Sequence, residues 1–98
     1  MKIVALKLVS AEEIIGVVQH EDSQMYVLGK VRSLIMQQAP DGGIGLGMLP
    51  YMPSANNIAD GTESDVEIYK EFVMSKPVTV AKTLEDSYIK ETSEIILN

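Results

Sequence analysis

Leu8 to Leu28, LVSAEEIIGVVQHEDSQMYVL, is the stretch whose reading decides the fold. Leu8 ends a run in which apolar residues alternate, and Ser10-Ala11 falls where a two-residue turn belongs. Ile14, Gly16 and Val18 then line one face of a returning strand at period two. Glu12-Glu13 sits at the exposed start of that strand, and Gly16 permits a sharp bend or a close backbone approach. The polar stretch His20-Glu21-Asp22-Ser23 turns the chain again, into a third strand that opens near Met25 and Tyr26. A tight hairpin followed by a third strand makes the class mainly β.

Upstream of this stretch, Val4, Leu6 and Leu8 share one face of a strand over Ile3 to Val9, while Lys7 reaches solvent from the other. Downstream, Gln24 to Gln38 is long enough for one extended, curved strand or two short ones, with Gly29 as the bend. Pro40-Asp41-Gly42-Gly43 is the clearest turn, because Asp-Gly supplies the positive backbone angles a hairpin demands. Ile44, Leu46 and Met48 alternate with Gly45 and Gly47, so one face of the next strand is bare and can lie close to a neighbour until Pro50 and Pro53 stop it. Ser54 to Asp65 is small, polar and acidic, and reads as a surface loop.

Val66 to Met74 resumes strand character, Ser75-Lys76-Pro77 breaks it, and Val78 to Ala81 makes a short final strand with Val78 and Val80 on one face. Thr83 with Asp86 three residues on resembles a capping box, and Leu84, Tyr88, Thr92 and Ile95 recur at helical spacing. These signals predict a single domain over residues 1–98: a small, five-stranded, strongly bent barrel with a C-terminal helix over 83–97.

Composition bounds what such a barrel can be. In a chain of 98 residues, folding hides only about 60 to 65% of the unfolded surface, so stability is marginal unless something is added. The absence of cysteine excludes disulfides, a thiolate metal site and a cysteine nucleophile, which leaves association between subunits as the expected staple. A net charge of -6 is the wrong sign for gripping nucleic acid through the overall field, so any such contact has to be local. The opening MKIVALKLVS is broken by Lys7 and is too short for a signal peptide or a membrane span, which predicts a cytosolic protein.

Catalytic chemistry finds little support. His20 is the only histidine, and no serine or lysine is tied to it by spacing, so it reads as an exposed loop residue. Glu12-Glu13 and Glu21-Asp22 are adjacent carboxylates that a strand sends to opposite faces. Asp60, Glu63 and Asp65 do not follow the alternate-residue pattern of a calcium loop. Gly42, Gly43, Gly45 and Gly47 lead into a strand rather than a helix, so they are not a phosphate loop. No enzyme mechanism, cofactor or metal is expected.

Read position by position, Leu8, Ser10, Ile14, Gly16, Val18, Asp22 and Met25 resemble the first signature motif of Sm and LSm proteins. Ala11 stands where that motif has its turn glycine, and Tyr26 where it has an asparagine. Phe72-Val73-Met74-Ser75-Lys76-Pro77 is the nearest equivalent of the second motif, without its arginine and glycine. LVSAEEIIG and LGMLPYMPSA, with the late helix, resemble a group of small Sm-like proteins encoded by tailed phages of marine cyanobacteria, a likeness that covers essentially the whole chain. The resemblance implies an Sm-like (SH3-like) barrel, a homo-oligomeric ring of about five to seven subunits, and work in phage or host RNA metabolism in the cytoplasm of an infected bacterium. It also implies that Asp22, Met25, Tyr26, Ser75 and Lys76 gather at a pore, where an aromatic ring stacks on a base and a lysine meets phosphate. The plainer alternatives are that Met25 and Tyr26 open the third strand and pack, and that the ligand of the ring is another protein.

Overall fold

The computed structural model of the protein describes residues 2–51, 63–75 and 77–96. Strands β1 (Ile3–Lys7), β2 (Glu13–Glu21), β3 (Met25–Gln38), β4 (Ile44–Pro50), β5 (Val66–Tyr69) and β6 (Val78–Thr79) are followed by helix α1 (Lys82–Ile96). All pairings are antiparallel, in the order β4-β3-β2-β1-β6, with β5 also on β3. Among the described residues no helix is long and apolar enough to cross a membrane.

The expectation of five strands closing a barrel is corrected in two ways. The run from Val66 to Met74 is not one strand: β5 stops at Tyr69, and Lys70–Phe72 coil into a 3-10 turn. What remains extended beyond it is Val73, which forms a single bridge to Leu8, the residue just past β1. Val9 N–H donates to the Phe72 carbonyl at 2.8 Å and Met74 N–H to the Lys7 carbonyl at 2.7 Å. One bridge does not make a ladder, so the sheet stays open. After the break at Pro77 the chain returns to β1 with Val78–Thr79, a sixth strand. The outer edges of β4 and β6 are therefore the two ends of the sheet path.

Both long hairpins turn in the same way. Leu8 N–H donates to the Glu12 carbonyl and Ala11 N–H to the Leu8 carbonyl; Ala39 N–H and Gly42 N–H repeat this with Gly43 and Ala39. The connections are three residues long, Val9-Ser10-Ala11 and Pro40-Asp41-Gly42, not the two-residue turn expected at Ser10-Ala11. In each, the third residue takes positive φ, 73° at Ala11 and 88° at Gly42.

Away from the β3–β4 arm, the sheet is buried on both faces. Val4, Leu6, Leu8, Ile14, Tyr26, Leu28, Val31 and Ile68 form the core inside its curve. Ala5, Ile15, Leu34 and Val80 lie on the opposite face under Tyr88 of α1, with Leu84 and Ile89 beside them. Ile14 and Ile15, adjacent and therefore pointing opposite ways, are both fully buried for this reason. A Cβ on Gly16 would lie 3.2 Å from Leu28 Cβ and 3.3 Å from the Gly29 carbonyl oxygen, the close approach the sequence implied. Helix α1 starts at Lys82, with Glu85 N–H donating to the Ala81 carbonyl, so Thr83 lies inside the first turn rather than capping it.

The bend in β3 falls at Gly29-Lys30, and Lys30, not Gly29, takes the left-handed conformation (φ 51°). It changes the strand's partner: residues 25–28 pair with β5, and residues 32–38 pair with β4. The Tyr88 hydroxyl donates to the Lys30 carbonyl at 2.7 Å, pinning the bend to the helix. Beside it Arg32, fully buried, makes a two-pronged bond to Glu63 (2.6 and 3.2 Å). Glu12, expected to be exposed, is half-buried and accepts a bond from the Ser33 hydroxyl.

Candidate functional site

The turn between β2 and β3 is Ser23-Gln24, because His20 and Glu21 remain in the strand. Asp22 builds it. One carboxylate oxygen accepts the N–H groups of Gln24 (2.8 Å) and Met25 (3.0 Å), while Asp22 N–H donates to the Met25 carbonyl. Those two backbone bonds, chiefly the one from Gln24, hold the Asp22 carboxyl below its ordinary value, with a smaller contribution from His20 at 3.3 Å. Asp22 is a turn lock in this geometry.

Met25 and Tyr26 open β3 opposite Tyr69 and Ile68 of β5. Tyr26 is 7% exposed and belongs to the inner core, whereas Tyr69 is 45% exposed. Directly after Tyr69 the 3-10 turn begins, and Lys70 N–H donates to the Gln24 carbonyl at 2.8 Å, tying this turn to the β2–β3 turn. The Lys70 ammonium lies 4.9 Å from the centre of the Tyr26 ring and 3.0 Å from a Glu21 carboxylate oxygen. Glu21 raises the Lys70 pKa above its ordinary value.

Two concavities share Lys70 as a wall. One of about 230 Å³ is lined by Tyr26, Lys70, Val73, Met74 and Ser75; the other, of about 420 Å³, by Ser23, Gln24, Tyr69, Lys70 and Glu71. Of the five residues expected at the site, Tyr26 and Ser75 thus line one hollow, and Asp22 and Met25 shape the turn beside it. Ser75 Oγ also accepts the Lys7 N–H at 3.4 Å. Lys76 lies outside the described residues.

Among the described residues, the cation lining these hollows is Lys70 and the exposed ring is Tyr69, both inside the run Val66 to Met74 that alternation reads as one strand. Their signal was present in the dipeptide Tyr69-Lys70, an aromatic and a cation at the end of an alternating run. Among the described residues no group of His, Asp or Glu side chains is arranged to hold a metal ion. No protein-family model matches the chain, and no curated protein does.

Proposed function

We propose that the chain is an Sm-like protein that assembles head to tail into a homo-oligomeric ring and binds single-stranded RNA at the mouth built on Lys70. The observation that carries this reading is the mouth itself: an exposed ring, a cation and small polar groups lie around two adjoining hollows. Tyr69 offers a face on which a base stacks, Lys70 a charge for phosphate, and Ser75, Ser23 and Gln24 hydrogen-bonding groups.

Assembly is the necessary partner of this site. A subunit carrying -6, with Lys70 as the one lysine lining the hollows among the described residues, holds a polyanion weakly, whereas repeated weak contacts around a ring add up. The edges of the sheet support association. Along the β3–β4 arm Met36, Ile44, Leu46 and Leu49 are exposed, and at the far margin Val78, with Phe72, Met74 and Val9 nearby, is exposed as well. The two margins are different surfaces, so a contact between them is heterologous and closes by rotation.

Fluorescence anisotropy with labelled oligouridine and oligoadenine, at low and rising salt, tests the reading. Tyr69→Ala should weaken binding at every ionic strength, by about 1–3 kcal/mol per stacked base. Lys70→Ala should chiefly flatten the salt dependence. No binding by the assembled protein at low salt would reject RNA and favour a ring whose ligand is a protein, the reading to which the acidic surface and the exposed apolar arm point.

A further inference from the structure

Among the described residues that line the two hollows Lys70 is the only cation, and it is already paired. Its ammonium rests over Tyr26 and bonds to Glu21, whose carboxylate presents to it the same kind of anionic oxygen as a phosphate would. Glu21 offsets the charge that an incoming anion would meet at Lys70, so an anion binding there competes with that carboxylate. The hollows are not equivalent for such an exchange: the larger is lined by Glu71, whereas the smaller has no carboxylate among the described residues of its lining, which include Ser75 and Met74.

We propose that Glu21 sets both the affinity and the length selectivity of the site, holding Lys70 until a strand's phosphate replaces it on the Ser75 side. The inference rests on the single-stranded RNA reading above. Exchanging a carboxylate for a phosphate on a part-exposed lysine is close to neutral, so one nucleotide gains little. A strand that makes the exchange on several subunits at once keeps the small gain each time, so the site favours polymers over mononucleotides. The base next to the bound phosphate then lies against Tyr69 in the larger hollow, with Glu71, acceptor-only, facing its donor groups.

The test is Glu21→Gln, which keeps the size and an oxygen acceptor for Lys70 but removes the charge. In anisotropy titrations at low salt, labelled oligouridine should bind Glu21→Gln more tightly than wild type, by about two- to fivefold for each subunit engaged, the range of an exposed ion pair. The gain should vanish in a Lys70→Ala background, and uridine monophosphate should compete poorly with the oligomer on wild type. Wild-type binding that Glu21→Gln leaves equal or weaker would overturn the role of Glu21 while leaving the RNA reading intact. A gain that persists without Lys70 would show a mere change of net charge and would also overturn it. Absence of binding by both wild type and Glu21→Gln would end the RNA reading and this inference together.

Discussion

Ala11 and Gly42 occupy the same place in two hairpins with the same hydrogen-bond pattern, and both take positive φ. Glycine meets that demand without a Cβ clash; alanine holds it at a cost of about 1–2 kcal/mol. Part of that cost would be returned as lost chain entropy on substitution, so Ala11→Gly should raise stability by about 0.5–1 kcal/mol. A urea midpoint that moves up without a change in slope would show it, and an unchanged or lower midpoint would mean that the turn relaxes around the methyl group. The same reasoning applies to Lys30, whose left-handed backbone is retained because β3 must change partners there and because Tyr88 grips its carbonyl.

At the scale of elements, the buried pair Arg32–Glu63 links β3 to the chain just before β5. Side-chain exposures of 1% and 5% leave neither charge a solvent alternative. Arg32→Met alone should therefore cost about 3–5 kcal/mol, because it strands the Glu63 carboxylate, while Arg32→Met combined with Glu63→Leu should cost far less. Equal losses in the single and double variants, followed by thermal and urea unfolding, would show that the pair is not acting as a buried unit.

Local pattern reached some of these elements and not others. Alternation placed the inward faces of β1 and β2, Asp41-Gly42 placed the hairpin tip, and the spacing of Leu84, Tyr88 and Thr92 placed the packed face of α1. The early end of β5 was not legible, because Val66 to Met74 keeps strand-like composition and only its tertiary contacts with Gln24 and Lys7 turn it. Nor was the Arg32–Glu63 pair, whose partners lie 31 residues apart. At the candidate site, sequence reading placed Tyr26 and Ser75 together but named Tyr26 as the stacking ring. Burial of Tyr26 by Ile68 and Leu28 across the fold leaves Tyr69 as the ring with an open face.

The whole molecule is a two-faced sheet whose ends, β4 and β6, are different margins, each with exposed large apolar side chains nearby. Head-to-tail association would cover both at once, and the proposed RNA site depends on it, because among the described residues Lys70 supplies the one positive charge at the hollows against a net -6. A charge placed on one margin, as in Leu46→Lys, should dissociate the assembly without unfolding the subunit, since Leu46 is 49% exposed. Size-exclusion chromatography with multi-angle light scattering on the wild-type protein at micromolar concentration is the most direct measurement. A single closed species of about five to seven subunits, which Leu46→Lys converts to monomer, is the expected result; a wild-type monomer, or a twofold dimer that cannot form a pore, would contradict head-to-tail closure.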